Sequence, residues 1–550
     1  MLPCREDVLF YTKMLVRIRS VVRTNGEKEI AQTLHSLIAS FPYFQKNPSH
    51  LVKLPTANDD VERYNVMAFV KGTKRPSADT VVLMGHIDTV GTEDYGLLES
   101  IATEPDALRD ALQQEETPDA VRAQLASEEW LFGRGALDMK SGVAGQLYLL
   151  KRYAEHPELL AGNVVFLAAC DEEDGSRGIL SATAQLEAWK AQHGFDYVAA
   201  INADFVSARY PGDPHRYVYL GTVGKLLPAF YITGAETHVG AAFEGLDPNL
   251  LAAELTREID YNPELCNAAL GETTAPPVAL KQTDLKTAYS VQTALAAYVY
   301  FNMLVFTWTP KDVLEAFRRR AETAFERALE LVERRYEAYC RLSGEPRREL
   351  PWRTRVMTYE ELIEQLRGEY GDRFDRHMEA FRERLLLEPD LDSRMFALRV
   401  VEEAWAWMKD RSPAMVLFFA SLYSPRVELA GRSAKERRLT DALDEAVREV
   451  QPHAGHPIRV KPFFPYISDM SFVSVSDDEA AIRSEQANNP AWGGKLFVDY
   501  DRIRRLDIPV ANIGPYGFDA HKKYERLDVG YSLEVVPNLT DRVVRRLLDA

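Results

Sequence analysis

Long apolar runs are absent from this chain. No stretch approaches the roughly 18 consecutive apolar residues that a membrane-spanning helix needs, so no span is expected. Cysteine is scarce. The four residues, Cys4, Cys170, Cys266 and Cys340, are widely scattered and form neither a CxxC pair nor a disulfide-dense pattern, which points to a reducing cytoplasm. The stretch from Met1 to Ser20 carries Arg5, Glu6, Asp7, Lys13, Arg17 and Arg19, and it lacks the uninterrupted apolar core of a signal peptide. Positive charge is in deficit: 66 Lys and Arg stand against 83 Asp and Glu, a formal net charge of −17. That balance argues against nucleic acid and anionic membrane as partners. Internal repeats and low-complexity linkers are missing as well.

What remains is a globular composition, 46% apolar and 27% charged, in a chain of 550 residues that is too long for one ordinary core. Leu9 to Phe41 reads as two helical segments broken near Thr24-Asn25-Gly26, with Glu27, Ile30, Ala31, Leu34, Leu37 and Ile38 on one face. Tyr64 to Lys71, Thr80 to Met84, Asn163 to Ala169 and Tyr197 to Ala203 read as strands, several of them continuously apolar and so covered on both faces. A helix over Gly142 to Tyr153 separates two of them. Alternation of this kind predicts an α/β domain with a largely parallel sheet. Glu93 to Glu129 is polar and acidic, as a surface insertion would be.

After Tyr219 the character changes. Leu226 to Thr233 reads as a strand, Pro248 to Ile259 as a helix and Ala296 to Thr307 as aromatic and β-prone. Thr309 and Pro310 suit the N-cap and first position of a helix running to Tyr339. Glu345 to Asp410 is rich in Arg and Glu with helical periodicity, as in a long exposed elaboration. Pro413 to Tyr423 is again strand-like, and the α/β pattern resumes with a helix Ala434 to Gln451, strands Ile458 to Phe464 and Ile508 to Ile513, and a helix Leu539 to Leu548. These shifts predict a discontinuous catalytic domain, 1–220 and 412–550, with a second domain inserted over 221–411.

Chemistry concentrates where apolar runs end. Met84-Gly85-His86-Ile87-Asp88 follows one, and Cys170-Asp171-Glu172-Glu173-Asp174 follows another. Asp138 lies in the glycine-rich turn Gly133-Arg134-Gly135-Ala136-Leu137-Asp138, Asp204 ends Ile201-Asn202-Ala203, and His521 follows Ile508 to Ile513. Singly, these have bland readings: a loop histidine, a turn aspartate, a solvated acidic loop. Jointly they give five ligand-type residues after five apolar runs, and strand ends of an open sheet bring such residues to one point. A neutral imidazole with a nearby carboxylate suits a metal. Adjacent glutamates can divide ligation from proton transfer.

The motifs resemble the M20 family of di-zinc metallopeptidases and amidohydrolases. Gly85-His86-Ile87-Asp88-Thr89-Val90 is similar to the family's first metal motif, and Gly133 to Gly142 to its second. Asp171 to Gly175 is similar to the third, and Ala520-His521-Lys522-Lys523-Tyr524-Glu525 to the terminal histidine motif. Length and the helical insert are similar to the arginine-utilisation branch. The resemblance implies that His86 and Asp204 hold one zinc ion and Glu173 and His521 the other, with Asp138 bridging and cobalt or manganese able to substitute. It implies that Asp88 orients His86 and that Glu172 is the general base. The inserted domain would be an α+β lid and dimerisation domain, making the protein a homodimer. In it, Gly234-Ala235-Glu236-Thr237-His238-Val239-Gly240 is similar to a segment whose histidine stabilises an oxyanion. Many relatives carry a carboxylate-binding arginine on a lid strand; Asn302 stands near that place. Asp469 resembles an acidic residue of a Gly-Gly-Thr-Asp-type segment whose glycines are missing, and a structural hydrogen bond is expected of it.

The implied reaction is hydrolysis of an amide or peptide bond in a small amino-acid-derived substrate, by water between two cations with Glu172 as base. Two other readings stand beside it: a non-catalytic metal-binding scaffold, and hydrolysis of a guanidino or carbamoyl group on the same metals.

Overall fold

The computed structural model describes residues 1–388 and 391–549. The chain divides into two compact units, one built from Met1–Thr222, Val427–Val475 and Asp499–Ala550, the other from Val223–Arg426 and Ser476–Val498.

The first unit carries an eight-stranded mixed sheet. Its strand order is Leu51–Pro55, Tyr64–Lys71, Asn163–Ala169, Asp79–His86, Asp196–Asn202, Val510–Asn512, Arg216–Leu220 and Ile458–Lys461. The four strands from Asn163–Ala169 to Val510–Asn512 are mutually parallel, while Tyr64–Lys71 and Arg216–Leu220 pair antiparallel on either side of them. Every residue of Asn163–Ala169 is buried. Side chains alternate across a strand, so both faces of the sheet are covered at this point. Helices supply the cover. In Val536–Asp549, Leu539, Val543, Val544, Leu547 and Leu548 are fully buried along one stripe, each stabilising the fold by roughly 1.5–3 kcal/mol. Asn25–Ala39 is capped by the Thr24 hydroxyl, which accepts from the Gly26 N–H. It buries Glu27, Ile30, Ala31, Leu34 and Ile38 of the face expected from its period, with Leu37 only half-buried. The acidic stretch Glu93 to Glu129 has a small core of its own, in which Tyr95, Leu108, Leu112, Val121 and Leu125 pack with Phe132.

The second unit is built on a six-stranded sheet. Val278–Asp284, Ala296–Val305, Pro228–Thr233, Ala414–Phe419 and Val356–Thr358 lie side by side, and Gly224–Leu226 pairs with Ala296–Val305. The helix at Pro310–Ser343 begins as its sequence predicts: Thr309 and Asp312 form a reciprocal capping box with Pro310 in the first turn. It ends at Gly344, whose φ of 76° a side chain would resist.

Two expectations are corrected here. The Arg- and Glu-rich stretch is not an exposed elaboration. Its helices, Tyr359–Tyr370, Asp372–Leu386 and Ser393–Ala406, bury Leu362, Leu366, Phe374, Met378, Phe396 and Val400 with Ala229, Tyr231 and Tyr298 of the sheet. The many charges line the outer faces and mask a narrow apolar stripe. Secondly, Ala414–Phe419 is an interior strand of this second sheet, between Pro228–Thr233 and Val356–Thr358. It does not return the chain to the first unit as the 411/412 boundary supposed, and Ser476–Val498 also belongs to the second unit. A fully apolar strand looks the same in either sheet, so composition could not assign it.

Candidate metal centre

The parallel strands set the site. Asp79–His86, Asn163–Ala169, Asp196–Asn202 and Val510–Asn512 point the same way, so the residues that follow them meet at one edge of the sheet. His86 closes the first, Glu172 and Glu173 follow the second, Asp204 follows the third, and the chain beyond the fourth leads to His521. Asp138 arrives from the turn that opens helix Ser141–Glu155. That turn needs Gly135, which has φ of 79° and would place a Cβ 2.8 Å from Thr89 Cγ2. Gly514 permits the fourth strand's close approach: a Cβ there would sit 1.6 Å from the Asp204 carbonyl oxygen.

Four of the expected ligands are in direct contact. His86 Nε2 is 3.0 Å from Asp138 Oδ1. His521 Nε2 is 3.0 Å from both Asp138 Oδ2 and Glu173 Oε1. Ligand atoms of His86, Asp138 and Glu173 all lie within 4.8 Å of one another. Glu172 is alongside, with Oε2 3.8 Å from His86 Nε2. Asp204 is buried and close enough that the charges of Asp138 and His86 act on it. Its Oδ1 accepts from the Phe205 N–H at 2.8 Å. Asn512 clamps its backbone, accepting from the Asp204 N–H at 2.9 Å and donating to its carbonyl at 2.8 Å.

Asp88 acts on two neighbours. Its carbonyl oxygen is 3.1 Å from His86 Nδ1. A carbonyl only accepts, so Nδ1 carries the hydrogen, which leaves Nε2 as the nitrogen that would hold a metal beside Asp138. The Asp88 carboxylate is farther from that imidazole, at 3.6 Å, and its Oδ2 accepts from the Glu173 N–H at 3.0 Å. Asp469, of which a structural hydrogen bond is expected, has two buried carboxylate oxygens without a hydrogen-bond partner among the described residues.

Charge decides what such a cluster can hold. Asp88, Asp138, Asp204 and Asp469 are buried, and the side chains of Glu172 and Glu173 are 10% and 8% exposed. Six carboxylates thus face two imidazoles. The imbalance shows at Glu172, Asp204 and both imidazoles. Burial and the neighbouring carboxylates Glu173, Asp469 and Asp204 push Glu172 well above the carboxylate range. Burial and Asp138 raise Asp204 to about 8. Burial opposes charge on His86, yet Glu172, Asp138 and Asp88 outweigh it and raise the imidazole well above its usual value. Hydrogen bonds to Asp138 and Glu173 lift His521 to about 10. Buried like charges at this density need counter-charge. Two divalent cations fit the deficit, and imidazole with carboxylate oxygen is a donor set for zinc, cobalt or manganese.

Two buried braces around this cluster escaped the reading of the sequence. Glu525 Oε1 accepts from the N–H groups of Leu137 and Asp138, at 3.1 and 3.3 Å, and its Oε2 pairs with Arg134 Nη1 at 2.6 Å. Both residues stand inside motifs whose local pattern gives neither of them a role. Glu27 and Arg63 form a second brace behind Asp171. A glutamate on an otherwise apolar helical face was the signal available for it. The remaining expected site residues, His238 and Asn302, belong to the second unit. His238 is exposed and caps a short turn, with Nδ1 accepting from the Gly240 N–H at 3.0 Å. Asn302 lies half-buried on Ala296–Val305, opposite Val278.

Residues 82–487 match peptidase family M20/M25/M40. The chain belongs to this family. As an M20 protein it is a metallohydrolase of the peptidase kind, a class that acts on small peptide substrates. The M20 chain is 36% identical to Protein RocB of Bacillus subtilis (strain 168) over 545 residues, 99% of this chain and 95% of RocB. It is 33% identical to YqjN of the same organism over 547 residues, 99% of this chain and 97% of YqjN. The structure of the M20 family metallo-carboxypeptidase Sso-CP2 from Sulfolobus solfataricus aligns over 99% of this chain and 100% of its own, with 12% identity and a TM-score of 0.51. At that identity the likeness shows the fold. Among the described residues no helix is long and apolar enough to cross a membrane.

Proposed function

We propose that this M20 protein hydrolyses an amide or peptide bond in a small amino-acid-derived substrate, using two zinc ions held by His86, Asp138, Glu173, Asp204 and His521. One observation carries the reading. Asp138 presents one oxygen to His86 and the other to His521, each at 3.0 Å, the arrangement a carboxylate takes when it joins two ligand pairs. Asp204 completes the His86 side and Glu173 the His521 side.

Bound divalent cations supply the acidity that makes water a nucleophile near neutral pH and the charge that polarises a carbonyl. The chain's own residues do the rest. Glu172 stands beside the cluster without an expected place among the ligands, so its carboxylate takes the proton from water and delivers it to the departing amine. Asp88 holds the His86 tautomer through its carbonyl and the Glu173 backbone through its carboxylate. In the second unit, the His238 Nδ1 acceptor leaves the hydrogen of the neutral ring on Nε2, a donor suited to a developing oxyanion. Asn302 would contribute polar substrate contact where an arginine is expected. Resemblance to the arginine-utilisation branch supports an arginine-derived substrate. A homodimer through the second unit is supported by the edge strand Val278–Asp284, where Leu280 is 56% exposed. A cytoplasmic setting accords with the scattered cysteines.

The test is metal content before and after chelation, alongside turnover of a panel of N-acyl amino acids, dipeptides, and guanidino and ureido compounds. Two metals per chain with chelator-sensitive cleavage are expected. Failure to bind any metal on reconstitution with zinc, cobalt or manganese would overturn the ligand assignment.

A further inference from the structure

The residue just before the candidate base sits in an unfavourable conformation. Asp171 has φ of 65°, in the left-handed region that non-glycine residues rarely occupy. Such a residue persists only where its surroundings over-determine it. Here they do. Asp171 Oδ1 is 2.8 Å from Arg63 Nη1, and Oδ2 accepts from the Arg177 N–H at 3.0 Å. The Asp171 N–H donates to Glu27 Oε1 at 3.1 Å. Glu27 Oε2 in turn takes Arg63 Nη1 at 3.0 Å and the Arg23 N–H at 2.7 Å. Arg63 Nε and Nη2 fork onto the two oxygens of Asp59, at 2.6 and 3.1 Å. The side chains of Glu27, Arg63 and Asp171 are 0% exposed. Asn65 ties both ends of the same loop, accepting from the Cys170 N–H at 3.1 Å and donating to the Gly178 carbonyl at 2.7 Å.

A guanidinium shared by three carboxylates is a poor device for stability, because well-packed apolar side chains do that at lower desolvation cost. It is a good device for geometry, because the planar fork fixes each partner's direction. The network reaches the loop at Asp171, next to Glu172. Glu173 has a separate tether, its N–H donating to Asp88 Oδ2. None of Glu27, Arg63 and Asp59 contacts His86, Asp138 or His521 among the described residues.

We propose that Arg63, held by Glu27, is a positioning residue that locks Asp171 in its left-handed turn and so aims the Glu172 carboxylate. The inference rests on the reading of Glu172 as general base.

A double-mutant cycle on the full-length protein loaded with Co²⁺ tests it, with the N-acetyl amino acid or dipeptide of the panel that is cleaved fastest as probe. Arg63→Lys keeps the charge and loses the fork. Its kcat falls 10- to 100-fold, KM stays within about twofold, and Co²⁺ stoichiometry and visible spectrum are unchanged. In a Glu172→Asp background, where the base is already displaced, the same substitution lowers kcat less than about threefold. Equal losses in the two backgrounds, or loss of a bound Co²⁺, overturn the proposal. Glu27→Gln keeps the side-chain shape and removes a charge without stranding Arg63, so it serves if the lysine variant does not fold. It shows the same non-additivity with Glu172→Asp, and unchanged kcat in a folded Glu27→Gln protein overturns the proposal. Glu172→Gln, measured in parallel, reports on the underlying reading. Full turnover in that variant removes the base assignment itself, whereas lost turnover with additive Arg63 effects removes only the positioning role.

Discussion

Glu525→Gln probes the brace that joins the Asp138 turn to the segment bearing His521. The substitution keeps shape and removes one charge. Arg134, 1% exposed along its side chain, loses the partner its Nη1 holds at 2.6 Å. It retains Asp94 at 2.7 Å, a partner 34% exposed, and the Gly91 carbonyl at 2.9 Å. Breaking a buried pair costs about 3–5 kcal/mol; because Asp94 stays, the low end, about 3 kcal/mol, is expected. The amide also cannot satisfy all three donors at once. Its single oxygen serves either Arg134 or the N–H groups of Leu137 and Asp138, so part of this penalty falls on the Asp138 backbone. Hydrogen exchange followed by mass spectrometry reads the effect locally. The three-stranded ladder of Gly517–Phe518, Arg526–Asp528 and Trp130–Phe132 flanks the brace. Its amides should exchange about a hundredfold faster in the variant, the equivalent of about 3 kcal/mol of local opening. Zinc affinity should fall in the same protein by about 10- to 100-fold. A ladder whose protection changes less than about threefold, with zinc affinity intact, would refute the claim that this pair holds the turn.

Three further outcomes are expected. His86→Ala should bind one zinc ion fewer per chain by elemental analysis, and full occupancy would remove it from the ligand set. His238→Ala should lower kcat by about 10²–10³ as the loss of one oxyanion donor does, with metal content unchanged; an undiminished kcat would discard that role. Glu485, buried with one oxygen on Asn489 and the other without a partner among the described residues, is raised by burial to about 8 from an ordinary 4.5. Between those values the folded chain binds the proton more than the unfolded one, so its contribution to stability falls as pH rises through the window. Glu485→Gln should remove that slope and stabilise the second unit by about 3 kcal/mol at pH 7. Parallel urea-midpoint profiles for both proteins from pH 5 to 8 would count against it.

The candidate ligand positions were legible because most of them follow a buried strand, and buried parallel strands leave a clear apolar run. Strand ends marked His86, the Asp171 to Asp174 run, Asp204 and His521 as candidates, and the family resemblance supplied their expected roles and that of Asp138. Residues that work by being buried and polar left little trace. Arg63 and Glu525 look like surface charges in the sequence, since nothing in local periodicity says that Glu27 and Arg134 meet them from distant segments. The same blindness inverted the reading of Tyr359 to Ala406. Its abundant charges hid Leu362, Phe374 and Phe396, which are buried in a core of the second unit. Ala414–Phe419 shows the complementary limit: a strand's apolarity reports that it is interior, never which sheet it enters.

The position of Val510–Asn512 within the first sheet has a consequence for biosynthesis. The strands on either side of it, Asp196–Asn202 and Arg216–Leu220, leave the ribosome about 290 residues earlier, which at roughly 5–20 residues per second is about 15–60 s. Through that interval one edge of Asp196–Asn202 and one edge of Arg216–Leu220 lack the strand that pairs with both. His521 follows the missing strand, so the same late segment that joins these strands also completes the cluster of candidate ligands. A chain interrupted before residue 510 would carry most of the acidic cluster and a persistent open edge, and would be a natural client for chaperones that shield unpaired strands.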